Sequence, residues 1–220
     1  MVIACVRARR RLAGTLLVAI VTAGLAACGG GGVYKPFNAI DEKRPIKPAS
    51  IAVISGSHQD GDVKLAGFVT KQLAERTTFR VLSQEEIGKR APGYPSAIRF
   101  KKSEEIEDDD EKVVWFVPSE KAKLDALQAR LKVDYLFVLW IRRMTVVSGG
   151  NSGTTYYVYP GGNLIEYPGG RVVASTRMGM GSSASILALF RSKDYYIVDA
   201  IELSAEAIVD DVIKVTKSKK

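Results

Sequence analysis

This 220-residue chain has one histidine, His58, and two cysteines, Cys5 and Cys28, both within the first 28 residues. Past that point there is no thiol for a disulfide, a thiolate nucleophile or a cysteine-ligated metal, and a lone imidazole has no second histidine to share a metal with. Long apolar runs are also missing. The one extended stretch, Leu12 to Ala27, covers about 16 residues, short of the roughly 20 a helix needs to cross a hydrocarbon core. A stable transmembrane span is therefore disfavoured, and the stability of the folded part must come from an apolar core. About 190 residues beyond residue 27 suffice for one domain of ordinary size.

What the N-terminus does contain is an export pattern. Arg7, Arg9, Arg10 and Arg11 form a basic region, Leu12 to Ala27 an apolar one, and small residues stand directly before Cys28. Leu25-Ala26-Ala27-Cys28 resembles the lipobox of bacterial lipoprotein precursors. The resemblance implies a signal peptide over residues 1–27, cleavage before Cys28, and lipidation of Cys28 with acyl chains such as palmitate. Several chains on one residue anchor a protein stably where one is marginal. Gly29 stands where that family's inner-membrane retention signal places aspartate, so the resemblance points to the outer membrane, on its periplasmic face, with the inner membrane as the alternative.

Removing the leader removes four arginines with no acidic partner, and the formal charge falls from +8 to +4. A nucleic-acid partner loses its main support. Lys214, Lys217, Lys219 and Lys220 concentrate much of the remaining excess in the last seven residues, with 217–220 read as a basic tail.

Residues 28–49 read as the lipidated cysteine and a flexible linker, from the glycine run Gly29 to Gly32 through Pro36, Pro45 and Pro48. Residues 50–216 read as one periplasmic α/β domain. Ile51 to Ile54 is a first strand, and Val63, Ala66, Val69 and Leu73 recur at helical spacing. Phe79 to Leu82 is a second strand, and Ser83 with Glu86 forms a capping box. Residues 91–118 read as an insertion holding the acidic run Glu104 to Glu111 and one strand, Val113 to Val117. Ser119 caps a helix to Leu131, and Tyr135 to Ile141 is a central strand buried on both faces. Breaks at Gly149-Gly150, Pro160-Gly161-Gly162 and Pro168-Gly169-Gly170 separate strands Thr154 to Tyr159, Leu164 to Tyr167 and Arg171 to Thr176, a β-meander. Ile201, Ala205, Ile208, Val212 and Val215 mark a terminal helix.

This order predicts a single α/β sandwich with a mixed sheet, a C-terminal meander and a terminal helix. Ile51 to Ile54, Phe79-Arg80-Val81-Leu82-Ser83, Val133-Asp134-Tyr135-Leu136 and Gly170 to Ser175 together resemble three groups of periplasmic domains. These are the N-terminal domain of the Tol-system β-propeller protein, the curli-secretion lipoproteins, and the lipoproteins that activate peptidoglycan synthases. Those domains share no catalytic motif, so the resemblance implies an accessory role and assigns no site residue.

Three clusters remain as candidates for chemistry. Gly179-Met180-Gly181-Ser182-Ser183-Ala184 satisfies a dinucleotide fingerprint with Asp199 beyond it, but too little chain follows for a second mononucleotide half, and no cofactor is expected. His58, Asp60 and Asp62 lie in the first βα loop, where a cation, a small ligand or an acid/base pair is possible, with Asp62 equally placed to cap the helix. Calcium on Glu104 to Glu111 is disfavoured by the spacing, and no metal is expected. The tyrosines of the meander carry more weight. Tyr157 and Tyr159 alternate onto one face, Tyr156 onto the other, and Tyr167 follows the next turn. Tyrosine is enriched in interfaces, and an exposed strand edge accepts a partner strand. The expectation is a membrane-anchored, non-catalytic envelope protein that binds a protein partner through Tyr156, Tyr157, Tyr159 and Tyr167. The alternatives are a small-ligand or cation binder, or a hydrolase, at the His58 to Asp62 loop.

Overall fold

The computed structural model describes residues 38–39, 46–96, 100, 118–148, 153–177, 180–184 and 192–217, all within the compact unit Gly32–Lys220. Cys28, the acidic run Glu104 to Glu111 and the strand expected at Val113 to Val117 lie outside these residues. The strands are β1 (Asn38–Ala39), β2 (Ser50–Ser55), β3 (Arg80–Val81), β4 (Tyr135–Ser148), β5 (Thr154–Glu166), β6 (Arg171–Arg177) and β7 (Met180–Ala184). The helices are α1 (Asp60–Arg76), α2 (Gln84–Arg90), α3 (Pro118–Leu131) and α4 (Lys193–Lys217).

The strands form one mixed sheet in the order β1-β6-β5-β4-β2-β3, with β7 added to β5. β2 runs parallel to both β3 and β4, while β4, β5 and β6 form the antiparallel meander. Alternation along β2 and β4 sends side chains to two separate cores. Ile51, Val53, Phe137 and Leu139 meet Leu65, Val69 and Leu73 of α1 and Ile201, Ala205 and Ile208 of α4. Ala52, Ile54, Leu136 and Val138 meet Ile87 of α2 and Leu124, Leu127 and Leu131 of α3. Leu136 to Leu139 are fully buried, as a strand covered by helices on both faces requires. The expected mixed α/β sandwich is thus a three-layer arrangement.

Local signals set the element ends. Glu86 N–H donates to Ser83 Oγ at 3.1 Å and Ser83 N–H to Glu86 Oε2 at 3.1 Å, the reciprocal capping box expected for α2. The N-cap of α1 is Gln59 rather than Asp62, which lies in the first turn. At the end of β2, Ser55 N–H donates to the Tyr94 hydroxyl, which donates to Gln84 Oε1, both at 3.0 Å. Burial pushes the Tyr94 phenol up to about 12, so it stays a neutral donor.

Two expectations are overturned, and a third segment takes definite form. Residues 154–166 form one continuous strand where Pro160-Gly161-Gly162 signalled a turn. Pro160 is tolerated because it lies opposite Ile141, at a bulge in β4 where the ladder is already irregular. Gly161 is required by its neighbour: a Cβ there would lie 2.7 Å from Cε2 of the buried Trp140 indole. Met180 to Ala184 form strand β7, antiparallel to β5. Within the stretch read as linker, Asn38 and Ala39 pair with Ser175 and Ala174 of β6, and Ile46 is buried in the α1/α4 core.

Candidate functional site

β4 and β5 run on past the end of β2, which pairs with β4 only through Leu139. The continuation, residues 143–148 of β4 with residues 154–159 of β5 and with β7, is a three-stranded antiparallel ribbon. It begins at the bulge. Arg142 is an extra residue between the Ile141↔Pro160 and Arg143↔Tyr159 pairs, so alternation reverses and side chains beyond it change faces. Met144 and Val146 then share a face with Val158 and Tyr156, and Arg143, Thr145 and Val147 share the other with Tyr159, Tyr157 and Thr155.

The bulge is held by Asp62. This carboxylate is 1% exposed; its Oδ1 accepts from Ile141 N–H at 2.6 Å and its Oδ2 from the Ser57 hydroxyl at 2.5 Å. Asp62 sits in line with Ala66, Val69 and Leu73 on the buried stripe of α1, a polar residue on an apolar face. That pattern was visible in the sequence and marks a buried hydrogen-bonding task. His58 and Asp60 are exposed, and Asp60 pairs with Lys64 at 2.7 Å. The structure therefore turns Asp62 inward and leaves His58 and Asp60 at the surface, so the three do not converge. Among the described residues no three His, Cys, Asp or Glu side chains gather as a metal site.

The four tyrosines do not share one surface. Tyr156 stacks on Tyr196 of α4, with ring centroids 5.7 Å apart and planes 4° apart, and Tyr195 meets Tyr196 edge-on at 5.4 Å. Tyr156 therefore secures the ribbon to α4. On the opposite face Tyr157 and Tyr159 lie 6.4 Å apart, and the Arg143 guanidinium sits 5.3 Å over the Tyr159 ring. These two rings are half-buried and Arg143 is exposed. A cation over one ring of an aromatic pair offers stacking, hydrogen-bonding and charge contacts together.

Tyr167 lies elsewhere, in a polar cleft of about 280 Å³ between α3 and the β5–β6 turn, with Lys121, Asp125, Gln128, Asp134 and Pro168 around it. Lys121 Nζ pairs with Asp125 Oδ2 at 2.7 Å. Neither the Tyr167 hydroxyl nor Asp125 Oδ1, both buried, has a hydrogen bond of good geometry. Burial first, and then the adjacent Asp125 carboxylate, push the Tyr167 phenol above the usual tyrosine range. Lys121 and Asp125, four apart on a helix, read in sequence as an ordinary surface pair; only the return of β5 beside α3 makes them a cleft wall.

No protein-family model matches the chain, and no curated protein does. Among solved structures it is similar to lipoprotein GNA1162 from Neisseria meningitidis, at 11% identity and a TM-score of 0.45, over 76% of this chain and 99% of that one. It is likewise similar to a protein from Caulobacter crescentus, at 11% identity and a TM-score of 0.42, over 77% of this chain and 92% of that one. At these TM-scores neither likeness fixes a function.

Proposed function

We propose that the protein is a lipid-anchored, non-catalytic accessory component of the bacterial cell envelope that binds a protein partner through the Tyr157–Tyr159 face of the ribbon. The observation that carries the reading is the half-buried Tyr157–Tyr159 pair beneath Arg143, on a ribbon pinned by Asp62 and by the Tyr156–Tyr196 stack. Tyrosine and arginine on a rigid support are the residue types that dominate binding energy at protein interfaces. Anchoring rests on the lipobox Leu25 to Cys28, and the outer membrane on Gly29. The membrane and an envelope protein are thus the two partners. Tyr156 and Tyr167, engaged with α4 and with the α3 cleft, leave the proposed partner surface. The test is affinity capture from envelope extract with wild-type protein and a Tyr157→Ala/Tyr159→Ala variant. A protein recovered by the wild type and lost from the variant supports the reading; recovery of the same proteins by both, or of none, overturns it.

A further inference from the structure

The ribbon has a second feature, distinct from its tyrosine face. β2 accompanies β4 only to Leu139, Gly56 N–H adds one bond to Leu139 O, and Asp62 takes the Ile141 N–H. From Arg142 to Ser148 the outer edge of β4 has no strand beside it among the described residues. In an antiparallel ladder every second residue of such a segment turns its N–H and C=O away from the strand it pairs with, which makes the edge a template for another strand.

The side chains along this edge are unusual for one that faces water. Met144, Val146 and Val147 are 48%, 50% and 53% exposed, three of the four large apolar residues so exposed among the described residues. The segment holds no acidic residue, and its two charges, Arg142 and Arg143, lie together at one end. A parallel copy in register would stack these arginines, and like charges directly opposite destabilise a strand pair. An antiparallel copy centred on Thr145 places Arg142 opposite Ser148, Arg143 opposite Val147, Met144 opposite Val146, and Thr145 opposite itself. This register pairs all seven residues. It gives Met144 and Val146 an apolar partner, covers Val147 with an arginine stem, and separates like charges.

We propose that β4 pairs with β4 of a second copy of this chain, antiparallel and about a two-fold axis at Thr145, joining two three-stranded ribbons into one sheet. A two-fold interface of this kind is self-complementary by construction. Seven residues a side make a small interface, so the dimer is weak and depends on concentration.

The experiment is sedimentation and cysteine crosslinking of the full-length chain in detergent. The expected results are concentration-dependent dimers and rapid disulfide formation by Thr145→Cys above the level of the unsubstituted chain. Crosslinking of Val147→Cys, which faces an arginine, is expected to be several-fold slower. Val146→Lys, at an exposed site, should weaken association at least about tenfold, or 1.4 kcal/mol, while leaving the melting temperature of the dilute monomer unchanged. A monomer at every concentration, equal crosslinking rates, or a dimer indifferent to Val146→Lys overturns the proposal. Loss of self-association with partner capture intact removes this edge alone. Loss of capture with the dimer intact removes only the tyrosine face.

Discussion

Replacing Asp62 tests how the ribbon is held. In Asp62→Ala the Ile141 N–H, buried beside the bulge, loses its acceptor, and no strand among the described residues offers another. A stranded buried N–H costs about 1–3 kcal/mol, and hydrogen bonds to a charged group are worth about 1.5–3 kcal/mol net. The helix also loses a carboxylate in its first turn, about 0.3–1 kcal/mol. These contributions overlap, and a loss of about 3 kcal/mol is expected. At a urea dependence near 2 kcal/mol per molar, this moves the unfolding midpoint down by about 1.5 M. Asp62→Asn keeps a carbonyl oxygen for Ile141 N–H, and its amide can donate to Ser57 Oγ, so it should lose only about 1 kcal/mol, or 0.5 M. Urea titration followed by tryptophan fluorescence reads the difference, because the Trp140 indole is buried nearby in β4. A midpoint for Asp62→Ala within experimental error of wild type would refute the lock. Equal losses in the two variants would show that the carboxylate charge matters and the Ile141 contact does not, as a cation site would require.

Gly161→Ala forces a Cβ to within 2.7–2.9 Å of a rigid indole, and should destabilise by about 1–3 kcal/mol in urea titration; Trp140→Leu in the same chain should relieve part of that cost, a coupling measurable by a double-mutant cycle. Asp134 is held below its ordinary value of 3.8, first by the Ser50 hydroxyl and then by the Ser50 N–H. Because its folded value is depressed, its contribution is full above the unfolded value and is lost as pH falls toward and through the folded one. Ser50→Ala should therefore lower stability by a constant amount above about pH 5 and by progressively less below about pH 4; a pH-independent difference would contradict this. Cys28→Ser should accumulate as unprocessed precursor that no longer takes up labelled palmitate, and unchanged labelling would remove the lipid anchor from the reading.

Periodicity made β2, α1, the start of β4 and α4 legible because each is covered in a regular way: two buried faces give a continuous apolar run, one gives a stripe. The capping box of α2 was readable because it is wholly local. Continuity of β5 was not, since Pro160 and Gly161 are turn residues by their own chemistry, and only the bulge and Trp140 across the ladder explain them. Alternation correctly separated Tyr156 from Tyr157 and Tyr159. Which face α4 would cover, and that Tyr167 would lie against α3, depend on packing between segments far apart in the chain. The loop from His58 to Asp62 offers three polar residues, and burial separates them: the member on the apolar stripe of α1 turns inward.

The change of partner along β5 bears on how the sheet opens. Residues 161–166 pair with β6 and residues 154–158 with β7, so β4 and β5 are the strands that run unbroken from the body of the sheet into the ribbon. Because the ribbon is held to the body at few points, Asp62 and the Tyr156–Tyr196 stack among them, it is expected to open before the body does, with the boundary at Arg142. Amide exchange along β4 should fall into two tiers, slow through Ile141 and faster beyond it, with the step moving toward Tyr135 when Asp62 is replaced.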